Sequence, residues 1–235
     1  MIVVTLVGLG LAGYGFVSML GYQRLAYSGG AMGSTFTKTS MLLAKDTTEY
    51  RRGDIVIVDL GALTGQPTTP QGMGVTRIIG VAGDKIACCA EKGHIRVNGK
   101  EIVEPYATIP DLGQMEFETT VAPDSVFLAG DDRGAAADSR LSANESGGGS
   151  VKLSDLRGRV VATGNVMTPT MLEPTPVFAD AGLGAKSDVD TELAGLRTLV
   201  MLGGIVAGVG VIGVLVFAVR AAGRRRKAAA GPPGR

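Results

Sequence analysis

Asp54-Ile55-Val56-Ile57-Val58-Asp59-Leu60 is a run of mostly β-branched, apolar residues that follows the turn-forming pair Arg52-Gly53. A run of this kind, bounded by glycine and aspartate, predicts a short buried strand. Comparable runs predict further strands at 75–81, 85–89, 125–130 and 156–162.

Asn98-Gly99 lies between alternating side chains within residues 94–103, which predicts a hairpin with a type I′ turn. Residues 62–74 and 142–150 are rich in turn formers and predict loops, the second of them mobile. Short strands without a long amphipathic helix between them indicate a mostly β domain, with an antiparallel β-sheet or a barrel-like arrangement.

Two apolar segments flank this β region. Residues 199–219 contain no charged side chain, and a helix of that length spans about 30 Å, the thickness of a hydrocarbon core. Residues 1–22 are also uncharged and are either a retained anchor or a cleaved signal segment. Because they lack a basic start and are long for a signal core, the retained anchor is favoured.

These segments predict a two-pass protein of the plasma membrane. Net charge is +1, which gives no case for nucleic-acid binding. Basic residues concentrate after the second apolar segment and place the C-terminus in the cytoplasm. They are Arg220, Arg224, Arg225, Arg226, Lys227 and Arg235. The expected parts are an anchor (1–23), an extracytoplasmic β domain (24–167), a flexible tether (168–197), a transmembrane helix (198–220) and a basic cytoplasmic tail (221–235).

Four motifs occur in order within and around the predicted strands. They are Ser28-Gly29-Gly30-Ala31-Met32-Gly33-Ser34-Thr35-Phe36, Arg52-Gly53-Asp54-Ile55-Val56-Ile57-Val58, Val75-Thr76-Arg77-Ile78-Ile79-Gly80-Val81-Ala82-Gly83-Asp84, and Gly130-Asp131-Asp132-Arg133 with Asp138-Ser139-Arg140. Together, behind an N-terminal apolar segment, they resemble the type I signal peptidases, the bacterial leader peptidases. These are membrane-bound serine endopeptidases that remove signal peptides from exported proteins with a serine–lysine pair and no cofactor.

The resemblance assigns a role to individual positions and shows where this chain departs from the family. Ala31 stands at the nucleophile position, Thr76 at the general-base position, and Ala136 where the family has a serine beside the lysine. Ala136 is also readable as a small loop residue. Gly33-Ser34 replaces the usual x-Pro, and Asp132 replaces an asparagine.

Other matched positions keep the family's residue types. Ser28 corresponds to the serine that helps to bind the oxyanion, and Met32 lies in the groove motif. The resemblance gives a supporting role around the site, through ion pairs, to Arg77, Asp131, Arg133, Asp138 and Arg140.

The missing dyad predicts a catalytically inactive signal-peptidase-like protein that binds signal-peptide-like or β-strand segments of exported preproteins, or an active paralogue. A second hypothesis is an active signal peptidase with a relocated nucleophile such as Ser34. A third is a structural or regulatory subunit of a secretion or surface assembly. The expected partners include membrane lipids and exclude nucleic acid, and neither a cofactor nor a metal is expected.

Several other residues leave alternatives open. His94 is either a solvated turn residue or a substitute base, and the nearest lysines are Lys38, Lys45 and Lys85. The adjacent residues Cys88-Cys89 are buried small side chains, a vicinal disulfide or an intermolecular bond, a pair that some relatives share. Gly204-x-x-x-Gly208 permits close packing of the C-terminal helix against a neighbour.

Overall fold

The structure, a computed structural model, describes residues 1–36, 40–64, 72–110 and 115–229. Contacts divide the chain into two units. Tyr22–Asp190 forms a β unit, and Met1–Gly21 with Thr191–Arg235 forms a helical unit.

The β unit contains two sheets. Its strands are β1 (Gln23–Tyr27), β2 (Ser40–Lys45), β3 (Ile55–Asp59), β4 (Met73–Val81), β5 (Lys85–Cys88), β6 (Arg96–Val97), β7 (Lys100–Glu101), β8 (Phe117–Thr120), β9 (Ser125–Ala129), β10 (Val151–Lys152), β11 (Leu156–Asn165) and β12 (Thr168–Met171). The larger sheet has the order β1-β2-β11-β3-β4-β9-β10, with β12 paired to β11, and the smaller has the order β7-β6-β5-β8.

All strand pairs in both sheets are antiparallel, as predicted. The barrel-like alternative is not realised. Within the described strands, β1 and β10 are open edges of the larger sheet, so it does not close.

The larger sheet is buried on both faces. Ile55 and Ile57 of β3 pack in a core with Met32, whereas Val56 and Val58 pack in a second core on the other face. A strand covered on both faces reads as a continuous apolar run, which is why β3 was recognisable in the sequence.

The smaller sheet carries the predicted hairpin. Asn98 and Gly99 have positive φ angles of 51° and 78°, so the two-residue turn is of the I′ kind. β6 and β7 pair across it, and the Ile102 N–H donates to the Ile95 carbonyl at 2.9 Å, so the hairpin covers nearly the whole of the predicted 94–103.

The predicted flexible tether is incorrect over 168–190. This segment forms β12 and a short helix, α3 (Val177–Asp180), and it packs on the β unit. Phe178 and Leu183 are buried in the core, and Lys100 donates hydrogen bonds to the carbonyls of Ala181 and Gly182. Two buried side chains and several side-chain hydrogen bonds override the Pro- and Gly-rich composition.

The predicted loop at 62–74 divides into three parts. A short helix, α2 (Leu60–Thr64), overlaps its start, and β4 begins at Met73. Residues 65–71 lie outside the described residues. At 142–150 the chain forms successive turns, and the predicted mobility stays a prediction.

The helical unit pairs α1 (Ile2–Met19) with α4 (Thr191–Ala229), which therefore already includes the last tether residues, 191–197. Both helices are long and apolar enough to span a membrane. They are antiparallel. A Cβ placed on Gly8 would lie 2.4 Å from the Ala207 nitrogen, and one on Gly210 would lie 2.2 Å from the Thr5 hydroxyl.

The predicted Gly204/Gly208 pair does not mediate this packing. A Cβ on either glycine would meet no atom within 4 Å in the described part of the chain. The close approach uses Gly203 and Ala207 instead, one residue out of phase, so small residues do form the contact. The tail beyond 229 lies outside the described residues.

Candidate functional site

Three side chains that motif comparison singled out lie around one cavity. Ala31, Thr76 and Ala136 all line a space of about 320 Å³. This volume is at the small end of ligand sites, which range from about 300 to 1,000 Å³. The other lining residues come from β1, the turn after it, α2, the start of β4 and residues 135–137, and none of the described lining residues is Asp, Glu, Lys, Arg or His.

A tight turn after β1 places Ala31 at the cavity. The backbone N–H of Met32 donates to the Tyr27 hydroxyl at 2.9 Å, and the Asp132 N–H donates to the Ala31 carbonyl at 3.0 Å. Met32 itself is fully buried in the core of the larger sheet. Met32 therefore holds the turn against the core. It is not among the described lining residues of the cavity, although the resemblance assigns it to the groove.

Gly130 brings the turn that carries Ala31 against the loop that carries Ala136. A Cβ on Gly130 would lie 2.4 Å from the Ala136 Cβ and 2.5 Å from the Ala31 carbonyl oxygen. Asp132 holds the same loop by accepting hydrogen bonds from the N–H groups of Gly134 and Ala135, both at 3.1 Å. The two alanine positions are thus fixed by backbone contacts.

Thr76 lies in β4 and is only 3% exposed. Its hydroxyl has no hydrogen-bond partner among the described residues. Buried side-chain hydroxyls in native structures are nearly always paired, so this group is unusual.

Two strand edges border the cavity. β9 pairs with β4 only from Arg77 to Val81, so the part from Met73 to Thr76 is paired with β3 alone among the described strands. Leu25 and Ala26 belong to β1, which is the edge of the sheet, and they line the same cavity. Unpaired backbone groups of this kind can accept an extended peptide by strand addition.

Beside Thr76, the next residue begins an ionic brace. We use this name for the pairs Arg77–Asp131, Arg133–Glu104 and Arg140–Asp138. The Arg77 guanidinium binds the Asp131 carboxylate through two bonds of 2.8 and 2.6 Å and also donates to the Gly53 carbonyl at 2.9 Å. Burial alone would lower the pKa of Arg77, but the hydrogen bonds and charge of Asp131 raise it, so the guanidinium stays charged.

Arg133 forms the second pair with a residue that sequence comparison missed. Its side chain is 2.5 Å from the Glu104 carboxylate, and both side chains are almost fully buried. Tyr106 donates to Glu104 at 2.7 Å, and its ring lies 3.9 Å from the Arg77 guanidinium carbon. Burial and the neighbouring Glu104 strongly raise the pKa of Tyr106, so its hydroxyl stays protonated.

The third pair secures the loop that carries Ala136. Arg140 contacts the Asp138 carboxylate at 2.8 and 2.9 Å, and Asp138 accepts the Gly130 N–H at 2.9 Å. All five support residues taken from the motif comparison therefore belong to buried or partly buried ion pairs.

The remaining sequence candidates lie at different places. Ser28 is exposed and lines the cavity, whereas Ser34 is exposed in a 3₁₀ turn and does not belong to the described lining. His94 is not a solvated turn residue, since its Nδ1 is 2.7 Å from the Glu101 carboxylate and its side chain is 18% exposed.

None of the described lysines enters the cavity lining. Lys45 is 3.7 Å from Asp190, Lys85 is exposed in β5, and Lys38 lies outside the described residues. Cys88 and Cys89 form a vicinal disulfide whose first cysteine packs in the core. The described residues contain no group of His, Cys, Asp and Glu suited to a metal ion.

Comparison with known proteins identifies the family. Among solved structures, the chain is similar to a signal peptidase I from Enterococcus faecalis, with 21% sequence identity and a TM-score of 0.36, over 48% of this chain and 98% of that one. No curated protein matches the chain. Residues 1–164 match the family described as "Signal peptidase, peptidase S26", and this is more than half of the sequence. The chain therefore belongs to the signal peptidase family.

Proposed function

We propose that this protein is a membrane-bound member of the signal peptidase family that binds extended segments of exported proteins without cleaving them. The observation that carries the proposal is the composition of the cavity. Ala31, Thr76 and Ala136 line it together, and its described lining holds no lysine, histidine, arginine or carboxylate.

Peptide hydrolysis by a serine–lysine pair needs a nucleophilic oxygen and an amine that takes its proton. The methyl group of Ala31 cannot attack a carbonyl. The Thr76 hydroxyl cannot act as the base, because it holds no basic lone pair near neutral pH. Ser28 and Ser34 are equally close to Ala31 along the motif. Ser34, the alternative nucleophile, is exposed and lies outside the described lining, and Ser28 lines the cavity, whose described lining holds no lysine, histidine or carboxylate.

Binding places fewer demands on the site than catalysis does. The open edges of β1 and of residues 73–76 can hydrogen bond to a peptide backbone, and the apolar wall receives its side chains. The buried ionic brace supports this geometry without contributing to proton transfer.

The membrane arrangement follows from the helical unit. Since α1 and α4 pack antiparallel, the start of α1 lies beside the later part of α4, with Met1 against Gly213. The exposed arginines at 220 and 224–226 favour the cytoplasm for that end of the helices, which supports an extracytoplasmic location for residues 22–190. Protease protection of a tag after Arg235, in sealed inverted membrane vesicles, tests this. We expect the tag to be cleaved and the β unit to be protected.

Peptide binding is tested with the full chain in lipid nanodiscs. The probe is a fluorescent peptide with an apolar core followed by an Ala-x-Ala site, the cleavage signature of signal peptides. We expect Ala136→Leu, which fills the cavity, to weaken binding about tenfold or more. Ala185→Leu makes the same change at an exposed position and should leave binding unchanged. Equal binding by both variants would contradict the proposal.

A further inference from the structure

Residues 172–190 form a strap across the β unit, between the end of β12 and the start of α4. The strap lies outside the residues that match the family, which end at 164. Its buried anchors are Phe178 and Leu183, which pack in one core with residues of the smaller sheet. The proposed function gives the strap no role.

Basic side chains of the β unit hold the strap by its backbone. The donors and the carbonyls that they reach are Lys100 to Ala181 and Gly182 (2.7 and 3.3 Å), Arg52 to Leu183, Arg51 to Lys186 (3.1 Å) and Arg159 to Asp188 (3.3 Å). These donors come from β7, from the turn before β3 and from β11. The strap is therefore fixed at successive points along its length.

The strap lies against the turn that precedes β3. Gly53 in this turn has a φ of 90°, and a Cβ on it would lie 2.7 Å from Cγ2 of Thr175 and 3.3 Å from the Phe178 ring. The Gly53 carbonyl accepts a hydrogen bond from the Arg77 guanidinium at 2.9 Å. The strap therefore contacts the turn that supports the first arginine of the ionic brace.

A small cavity separates the strap from Arg77. It has a volume of about 30 Å³, which is room for one or two water molecules. Residues 172–174 line it from the strap, and Gly53 and Arg77 line it from the sheet. An ion pair in such a confined space is stronger and less screened by salt than one in bulk water. Opening the strap would admit bulk water to Arg77 and weaken its pair with Asp131.

Asp131 joins the brace to the turn that carries Ala31. Its carboxylate accepts the Thr35 hydroxyl at 2.5 Å. The N–H of the next residue, Asp132, donates to the Ala31 carbonyl at 3.0 Å. A continuous series of contacts thus leads from the strap through Gly53, Arg77 and Asp131 to one wall of the cavity that Ala31 lines.

We infer that the strap is a positioning element of the proposed peptide site. By covering Gly53 and Arg77 it keeps bulk water from the Arg77–Asp131 pair, and this pair fixes the turn that carries Ala31. Phe178 is then a positioning residue, although it does not belong to the described cavity lining. The coupling is a property of the free protein, whereas its consequence for peptides rests on the proposed function.

Hydrogen exchange of the full chain in lipid nanodiscs, followed by mass spectrometry, tests the coupling without a peptide. The variants are Phe178→Ala, which removes the larger anchor of the strap, and the milder Phe178→Leu. The matched control is Phe117→Ala, because Phe117 is also a buried phenylalanine of the same core but lies in β8. Affinity for the fluorescent Ala-x-Ala peptide is measured on the same samples.

We expect Phe178→Ala to speed exchange about tenfold in residues 27–36 and 130–137, which hold the N–H groups of Met32 and Asp132. Peptide affinity should fall about tenfold with it. Phe178→Leu should change both in the same direction by about threefold, so the test remains available if Phe178→Ala does not fold. Phe117→Ala should leave both at the wild-type values.

The outcomes separate this inference from the proposed function. Unchanged exchange in 27–36 and 130–137 for both Phe178 variants refutes the inference, whether or not the peptide binds. Equal acceleration by Phe178→Ala and Phe117→Ala also refutes it, because general destabilisation would then explain the effect. If exchange responds as expected but the wild type binds no peptide, the proposed function fails while the coupling of the strap to the turn stands.

Discussion

The cavity wall, meaning the residues that line the cavity, and the ionic brace meet at the consecutive residues Thr76 and Arg77. They differ in the charge of their side chains. Thr76 belongs to the wall, where no described residue is Asp, Glu, Lys, Arg or His, and its own hydroxyl has no partner among the described residues. Arg77 belongs to the brace, where each buried charge faces an opposite one within 2.5–2.8 Å. The described cavity lining thus offers no lysine, histidine or carboxylate, while the ion pairs that hold the surrounding loops are present.

This difference shows that the brace has a function of its own. A buried charge is costly unless it is paired, so the arginines and carboxylates of the brace must be kept or lost together. The wall has no such constraint, because its described residues carry no Asp, Glu, Lys, Arg or His whose partner would have to be kept or lost with it. Reactive side chains can therefore be lost from the cavity while the ion pairs that support the fold are kept.

The largest expected effect comes from breaking the brace. Asp131→Ala leaves the buried Arg77 guanidinium without its partner and should lower the free energy of unfolding by about 3–5 kcal/mol. Thermal unfolding of the full chain in detergent, followed by circular dichroism, measures it. The control is Arg157→Gln, which removes a half-exposed pair with Asp59 at 3.8 Å and should cost less than about 1 kcal/mol. Equal losses would show that the brace is not the stabilising element.

The next largest effect comes from moving Ala136 away from Ala31 across the cavity wall. Gly130→Ala places a Cβ 2.4–2.5 Å from Ala136 and the Ala31 carbonyl, so it should destabilise the chain by about 1–3 kcal/mol and weaken peptide binding. Gly134→Ala lies in the same loop, and its Cβ would meet its nearest atoms at 3.5–3.7 Å. If both variants bind peptide like the wild type, the position of Ala136 against Ala31 is not important for binding.

Two carboxyls outside the brace, Asp84 and Asp54, should give pH dependences of opposite sign. Burial opposes ionisation of Asp84, but hydrogen bonds from Arg52, Val81 and Asn98 outweigh it and lower its pKa. Asp84 therefore stabilises the fold above its ordinary pKa of 3.8, and this contribution is lost as the pH falls through the lower folded value.

Burial raises the pKa of Asp54 despite hydrogen bonds from Ser187 and the Arg51 N–H. The folded state then takes up a proton more readily than the unfolded state. The contribution of Asp54 to stability increases as the pH falls from above its folded pKa towards 3.8.

Unfolding of Asp84→Asn and Asp54→Asn between pH 3 and 7, each compared with the wild type, measures both slopes. The advantage of the wild type over Asp84→Asn should shrink at the acid end. The wild type should gain on Asp54→Asn as the pH is lowered. Slopes of the same sign would contradict the assigned environments.

The smallest expected effect is on stability, and it comes from the Thr76 hydroxyl in the cavity wall. Thr76→Val keeps the shape of the side chain and removes the unpaired hydroxyl, so it should raise the free energy of unfolding by about 1 kcal/mol. Thr120→Val, at an exposed strand position, should change stability by less than about 0.5 kcal/mol. A loss of stability in Thr76→Val would mean that the hydroxyl is paired in the folded protein.

Local sequence patterns predicted the strands whose side chains are apolar on both faces, such as β3 and β4, and the Asn98-Gly99 turn. They missed β1, whose polarity is mixed, and β2, whose apolar run is only the four residues 41–44, and the pairing of these strands brings together residues up to 21 positions apart. The segment 168–190 was misjudged because the packing of Phe178 and Leu183 is a tertiary effect.

At the site, motif comparison identified Ala31, Thr76 and Ala136, and the structure brings them to one cavity. It could not identify Glu104 and Tyr106, which reach Arg133 and Arg77 from a loop distant in sequence. It also gave no sign that the Thr76 hydroxyl is unpaired, because hydrogen-bond satisfaction depends on the surroundings of a buried atom.

Intact-mass analysis of an exported preprotein tests whether this peptide site keeps its supports and lacks only its reactive groups. The preprotein is incubated with the full chain in nanodiscs, as wild type, as Ser34→Ala and as the double variant Ala31→Ser with Thr76→Lys. We expect no cleavage by the wild type or by Ser34→Ala, and cleavage after the signal peptide by the double variant. Cleavage by the wild type that is lost in Ser34→Ala would contradict the account.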